Sequence, residues 1–522
     1  MKDPLAADAP LNTASAAFLN VNPGAYTLEI SKAGFRTSKL SQFTLAVNQT
    51  ATLDQILEVG SVEQAVNVEA IGAEVQASTS EVGAVVARTQ VVDLPLNGRN
   101  FTQLLSLTPG VAPVSVSQNN GSGFAHPGIG SFIFPSVNGQ TNRSNFWTLD
   151  GVSNQGLMLS TPAVAPIVDD IQEFKVQSHN DQAEFGGSLG AVINVATRSG
   201  TNQLHGALWE YLRNNAADAR NTFQPGVTPF RQNQFGASVG GPVVIPKLLN
   251  GRNNTFFHGS YQGWRFRRAN NSFFRVPTEA NYNGDLSDEA RQVFDPATTR
   301  ANPNGTGFIR DPFAGNRIPA SRINAGNVLY AKSTFPAAGP IITADRNAID
   351  PTPLSQNQEE WSVRVDRVIG PKDNAFFRLN KSALDQTSSG GRPLLSSFRT
   401  FDAYTVGAGW VHTFSPSTVL QTSFGRIVNT DNSGARFRQL PGNFLSGVGY
   451  VPTFTAYLDS QTLVPGLVID GWTGGGESVS LNRPSDIWQY KAGVTRIVGN
   501  HSFKFGGEWN NMDFYGSPRT GS

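Results

Sequence analysis

The sequence predicts a mainly β protein: a partial β-sandwich, then a mixed α/β domain, then the N-terminal part of a large antiparallel transmembrane β-barrel. Three observations carry this prediction. First, only 15% of the 522 residues are charged and 39% are hydrophobic; the balance is made up largely of 53 glycines and of uncharged polar side chains. Both fractions fall below those of an ordinary soluble domain. Second, apolar and small polar residues alternate in short runs from residue 203 onward, the period of a strand with one wet and one dry face. Third, these runs are joined alternately by tight turns and by long polar loops, the asymmetry of an outer-membrane barrel.

Taken in order, residues 1–69 read as short strands. Tyr26, Leu28 and Ile30 alternate with polar residues between the turn signals Pro23-Gly24 and Ala33-Gly34. Phe43, Leu45 and Val47 give a second run, 53–59 a third and 62–68 a fourth. Four short strands amount to half a sandwich.

Residues 70–202 are mixed. A short helical turn is expected within 85–94, with Thr89 as its N-cap and Pro95 as its end. Asn97-Gly98-Arg99-Asn100 reads as a turn. Phe101, Leu104, Leu105 and Leu107 share a helical face that Pro109-Gly110 terminates. Residues 112–136, rich in Ser, Asn and Gly, read as a long loop. Val137-Asn138-Gly139 and Leu149-Asp150-Gly151 look like strand ends with turns, and 171–176 and 191–197 like strands.

Residues 203–522 read as about nine strands in hairpins. Among them, 256–266 alternates, 361–368 and 375–380 flank Gly370-Pro371-Lys372-Asp373, and Ser415-Pro416-Ser417 leads into 419–428. Long loops are expected at 269–355 and 429–484. Trp410, Phe414, Trp488 and Tyr490 are expected to face outward, because their neighbours Thr405, Gly407, Gln489 and Lys491 suit a wet lumen. A soluble sandwich or solenoid explains the alternation equally well; turn asymmetry and low charge favour the membrane.

Other function classes find little support. A net charge of +1 gives no electrostatic case for nucleic acid. Cysteine is absent, which removes disulfides, thiolate metal sites and cysteine nucleophiles. The six histidines are scattered, and no phosphate loop, nucleophile elbow or zinc helix is found. No enzyme, cofactor or metal is therefore expected. The adjacent carboxylates Asp169-Asp170 and Glu359-Glu360 would point to opposite faces of a strand and make no acid/base dyad. Arg265, Arg267 and Arg268 are read as a solvated strand end or a contact to lipid phosphates. No run of 18 apolar residues occurs, which says nothing against barrel strands. The first twenty residues lack a signal-peptide core, so the true N-terminus is expected upstream.

Three long motifs then suggest a family. DLPLNGRNFTQLLSLTPGV (93–111), SVNGQTNRSNFWTLDGVSN (136–154) and the run from 167 to 214 resemble the plug signatures of TonB-dependent receptors of the Oar-like type. QFGASVGGPVVIP and NTFFHGSYQG resemble the first barrel strands. GAYTLEISKAGFR, with the segment to EVGSVEQAVNV, resembles the end of a carboxypeptidase-regulatory-like sandwich. The likeness covers most of the first 270 residues in the family's order. It implies a sandwich over 1–69, a plug over 70–202 and an incomplete barrel over 203–522. It also implies energised uptake across the outer membrane of a Gram-negative-type bacterium. The implied partners are the inner-membrane TonB complex, through a TonB box not visible in this chain, outer-membrane lipid and an extracellular ligand. Phe124, His126, Phe132 and Phe134 on the 112–136 loop are the candidate ligand contacts, and a small aromatic cluster that anchors the loop is the equal alternative for Phe124, Phe132 and Phe134. The alternative is a non-transporting adhesion or export-associated barrel protein.

Overall fold

The computed structural model describes residues 23–47, 49, 51, 53, 55–60, 65–68, 82–114, 134–141, 143–156, 162–179, 183–186, 188–220, 222, 227, 229–342, 345–389, 395–437, 448–449, 469, 471–473, 479–499, 501–515 and 517–520. Three bodies follow one another along the chain. The first is a three-stranded sheet of β1 (Gly24–Ile30), β2 (Thr37–Leu45) and β3 (Ala65–Val68); β1 pairs antiparallel and β3 parallel with β2. Alternation located β1, whereas the expected second run, Phe43 to Val47, meets only the last residues of β2. The run at 53–59 forms no strand among its described residues. The Phe35–Val59 bridge, the bond from Arg36 N–H to Glu58 C=O and the Arg36–Glu58 ion pair hold it, and Ile56 and Val59 lie exposed with no layer over them among the described residues.

The second body is a mixed five-stranded sheet in the order β4 (Val82–Ala87), β9 (Ile171–His179), β10 (Val192–Thr197), β7 (Phe146–Leu149) and β8 (Val152–Ser153). All six residues of central β10 are buried, as a strand paired on both sides and covered on both faces requires. Helix α1 (Arg88–Asp93) and a 3-10 segment, Phe101–Leu107, cover one face. Phe101 packs edge-on to Trp147 and Phe174, with Leu105, Ile193 and Val176 beside them at 0% exposure. The helix starts one residue before the expected cap: Ala87 is the N-cap and Thr89 lies inside. Leu107, expected on the buried face, is half exposed because 3-10 winding carries it past the core. The ends of the expected 112–136 loop are strands, β5 (Val111–Val114) paired antiparallel with β6 (Phe134–Val137).

The third body is an antiparallel meander. β11 (His205–Asn214) pairs with β12 (Phe230–Pro242), and a small ribbon of β13 (Val244–Ile245) and β14 (Leu249–Asn250) leads into β15 (Thr255–Phe274). A long excursion contains helices α2 (Glu279–Tyr282) and α3 (Ala325–Thr334) and a ribbon of β16 (Arg300–Ala301) and β17 (Phe308–Ile309). Then come β18 (Ala348–Gly370), β19 (Asp373–Ser389), β20 (Leu395–Ser415), β21 (Thr418–Phe437), β22 (Val479–Val498) and β23 (His501–Phe514); β24 (Ser517–Thr520) also pairs with β22. The sheet does not close on itself among the described residues.

Register gives the tilt. The row through Thr255 runs Arg367, Ala375, Trp410, Thr422, Ala492 and Gly507. Beyond that row β18 continues three residues to Gly370, β20 five to Ser415 and β22 six to Val498. With the tight turns at one level, six residues at ~3.3 Å over five spacings of ~4.8 Å give a slope of roughly 40°, the inclination of barrel strands. Strands of 20 to 23 residues exceed the ~10 that cross a bilayer, so β15 and β18 project beyond it. The expected loop boundaries were accordingly too wide, since β15 runs on to Phe274 and β21 to Phe437. Arg265, Arg267 and Arg268 therefore lie within β15 rather than at its end.

The wall has two faces. Trp410, Phe414 and Tyr490 are exposed and Trp488 half-buried on the outer one, while Thr405, Gln489, Ile487 and Ala403 are buried on the inner one. The expected outward direction of the four aromatics holds.

Candidate functional site: the joint between the inner body and the barrel wall

The second body lies against the inner face of the wall, and polar contacts join them along successive strands. The joint begins at Arg99, in the Asn97–Arg99 turn. Its guanidinium lies over Tyr211 and Trp209 of β11 at 4.8 and 5.5 Å, donates to the Tyr211 hydroxyl at 2.6 Å, and is ion-paired with Asp169. Trp209 can lie flat across the wall because Gly236 stands opposite; a Cβ there would strike the indole ring. Motif NGR and strand LWEYLRN are thus two halves of one contact.

Next along the wall is Asp170. It lies in a 3-10 turn, Val168–Asp170, and not on a strand, which corrects the sequence reading. The two carboxylates still diverge, Asp169 toward Arg99 and Asp170 toward Ser260 and His258 of β15. Glu359 and Glu360 on β18 face opposite ways as expected: Glu359 binds Arg265 and Tyr261 outside, Glu360 binds Gln262 inside.

The carboxylate of Asp150 takes four polar contacts at the centre of the joint. Leu149 and Val152 pair across a two-residue turn whose φ values are +52° at Asp150 and +76° at Gly151, the left-handed pair an Asp-Gly hairpin supplies. The turn aims the carboxylate at the wall. Oδ1 accepts from Arg364 Nη1 at 2.7 Å and from the Thr197 amide at 2.8 Å; Oδ2 faces Arg378 Nε at 2.9 Å and accepts from Thr197 Oγ1 at 2.8 Å. Arg364 also holds Asp366, and Arg378 donates to Asn380, Thr405 and the Leu149 carbonyl. Arg378 is 1% exposed, so its charge depends on these partners. The sequence marked Asp150 only as a turn residue. Its two arginine partners lie more than 200 residues away, and no local signal announces them.

Beyond β19, Val152 packs on Gly425 of β21, and the Ser153 amide donates to Gln489 Oε1 of β22 at 2.8 Å. Ala163 and Val164 meet Ile427, Ile487, Leu384, Phe401 and Ala403, an apolar patch in the joint. Glu184 binds Lys491 at 2.7 Å and also Lys504. Burial alone would raise its carboxyl; the hydrogen bonds and charges of the two lysines outweigh that and hold it below the usual range.

Of the sequence-derived ligand contacts, Phe124, His126 and Phe132 lie outside the described residues, and Phe134 opens β6 with its side chain undescribed. No group of three or more metal-ligating side chains occurs among the described residues.

The family model described as an outer membrane beta barrel domain matches residues 196–521. The chain is 26% identical over 285 residues to the TonB-dependent transporter Oar of Myxococcus xanthus, a match covering 51% of this chain and 25% of that protein. Among solved structures, the outer membrane transporter YddB from Escherichia coli aligns with TM-score 0.49 at 11% identity, over 83% of this chain and 48% of that one. The unliganded ferric citrate transporter FecA aligns with TM-score 0.41 at 9% identity, over 84% and 57%. The chain thus spans about a quarter of the curated relative and about half of these structures. A matched segment that covers the whole described meander, its tilt and its two-faced strands place the protein in the outer membrane, and the chain belongs to the outer-membrane β-barrel family.

Proposed function

We propose that the chain is part of a TonB-dependent outer-membrane transporter for energised uptake of a substrate not yet identified. In this reading residues 203–522 contribute wall, residues 70–202 are the plug, and residues 1–69 are the end of a carboxypeptidase-regulatory-like sandwich on the periplasmic side. The observation that carries the reading is the chemistry of the joint. A body meant to stay in place would be sealed by a continuous apolar interface. This joint rests mainly on separate ion pairs and hydrogen bonds at Arg99, Asp170, Asp150, Ser153 and Glu184, with one apolar patch at 163–164. Water can replace such bonds one at a time at small net cost, so a pull can free the plug without exposing a large apolar surface. The pull would come from the inner-membrane TonB complex, so the chain itself needs no nucleotide.

The 112–136 loop is proposed to lie at the extracellular apex of the plug, with Phe124, His126, Phe132 and Phe134 meeting the ligand. Apolar rings on a long loop gain most by burial against a ligand or the wall. The transport reading is tested by incubating cells in spent growth medium and following solute depletion by mass spectrometry. Solutes taken up only when both this receptor and TonB are present support it and identify the substrate. Equal depletion without TonB favours the adhesion or export alternative. With a substrate in hand, Phe132→Ala with Phe134→Ala should weaken binding to whole cells; unchanged affinity at normal surface expression removes the loop from the site.

A further inference from the structure

The Asp170 contact contains two buried polar atoms that satisfy each other only through a proton. Asp170 is 1% exposed and His258 4%. Asp170 Oδ2 accepts from Ser260 Oγ at 2.5 Å, and Ser362, paired with Ser260 on the next strand, also donates to the carboxylate. Asp170 Oδ1 and His258 Nε2 face each other at 3.3 Å, and neither has another hydrogen-bond partner among the described residues. The other imidazole nitrogen, Nδ1, lies 3.2 Å from the Val239 carbonyl, which can only accept. Hydrogen on Nδ1 satisfies that carbonyl, and a neutral ring then turns the Nε2 lone pair toward the carboxylate. With the carboxylate ionised, two lone pairs meet in a dry site. With one proton on the pair, as a carboxylic acid donating to Nε2 or as an imidazolium donating to Oδ1, the contact is a strong hydrogen bond. The other tautomer only moves the clash to Val239.

We propose that Asp170 and His258 form a proton-dependent latch between the inner body and the barrel wall, closed with one proton on the pair and weakened when that proton leaves. The other charged groups around it set the poise. From the inner body these are Asp169, Arg198 and Arg88; from the wall they are Glu360, Arg364 and His205. Burial pushes the Asp170 carboxyl up to about 7, against the hydrogen bonds from Ser260 and Ser362. The sign follows. A carboxyl whose value is raised on docking favours the docked state below that value, and the advantage fades as pH rises from the free value of 3.8 to about 7. The latch is thus tight in acid and loosens toward neutral pH until it is fully weakened above about 7, so the ease of freeing the inner body tracks the pH at the joint. Only this consequence for uptake rests on the transport reading.

The test reads docking directly and needs no substrate, so its failure is distinct from a failure of that reading. Amide hydrogen exchange of Ile171–His179 and Val192–Thr197 is measured in the intact protein in lipid at pH 6 and pH 8, corrected for the intrinsic pH dependence of exchange. For a carboxyl near 7 when docked, the docking equilibrium should fall about tenfold between these values. Asp170→Asn supplies an amide donor to Nε2 at every pH and should remove the step. His258→Gln supplies a donor to the carboxylate, should also remove it, and stands in if the asparagine variant does not assemble. A wild-type step absent from either variant supports the latch. A wild-type protein without the step, or a step retained in both variants, overturns it.

Discussion

Replacing Asp150 by Asn keeps the shape of the hairpin and removes one charge from the centre of the joint. In the wild type, Asp150 and Asp366 balance Arg364 and Arg378. After Asp150→Asn, Arg364 keeps Asp366 at 2.7 Å, whereas Arg378, 1% exposed, loses its only carboxylate among the described residues and keeps neutral partners. Stripping one partner from a buried pair costs about 3–5 kcal/mol, because the remaining charge stays desolvated. Borne by the docked state alone, that is a shift of roughly 150- to 5,000-fold toward the released inner body. The assay is ion conductance of the intact protein in a planar bilayer under rising urea. With a urea dependence of about 1–3 kcal/mol per molar, the midpoint for opening should fall by at least about 1 M. Asp150→Leu combined with Arg378→Met should recover most of the loss, since an apolar pair needs no desolvation. An Asp150→Asn midpoint equal to wild type would refute the reasoning, as would single effects that simply add in the double variant.

Arg99→Lys keeps the charge and loses the planar stack on Trp209 and Tyr211; the same assay should show a smaller loss, about 0.5–2 kcal/mol. Tyr490→Arg puts a charge on the outer face and should destabilise the barrel in lipid by up to about 2–4 kcal/mol, read as a lower denaturant midpoint for folding into vesicles, with Tyr490→Phe near neutral. The clasp of Glu184 with Lys491 and Lys504 runs opposite to the Asp170 latch. Docking holds its carboxyl below the usual value of 4.5, so its contribution is present above that value and lost as pH falls through the depressed one. Glu184→Gln should therefore lower exchange protection near Glu184 at pH 7 and leave it unchanged in strong acid.

Strand identity was legible in the sequence wherever one face is dry. Trp410 and Tyr490 alternate with Val411 and Gln489 because lipid and the inner body demand different chemistry on the two faces. Strand length was not, because beyond the bilayer both faces are wet. Ala269 to Ser272 carry no contrast, yet they pair fully with β18. The tight turns were legible through Gly370-Pro371 and Ser415-Pro416, since local backbone geometry selects those residues. The joint was legible only in halves. Asp150-Gly151 and Asn97-Gly98-Arg99 announce turns, but Arg364, Arg378, Trp209 and Tyr211 become their partners only when the inner body meets the wall. The Asp169-Asp170 pair was placed on a strand because the 3-10 turn that holds it is set by the packing of Val168 and Ile171 in the inner core.

Strands β11–β23 form a membrane wall, and the described residues between 82 and 197 cover its inner face. This sequence contains no cysteine, so the arrangement can be tested with two adjacent single substitutions on β20, Thr405→Cys on the inner face and Val406→Cys on the outer. The intact protein in lipid vesicles is treated with a water-soluble and with a lipid-soluble maleimide, before and after urea releases the inner body. The Thr405→Cys protein should be silent to both reagents until release and then react with the water-soluble one, while the Val406→Cys protein should react with the lipid-soluble reagent throughout. Equal labelling of both positions by the water-soluble reagent before release would contradict it.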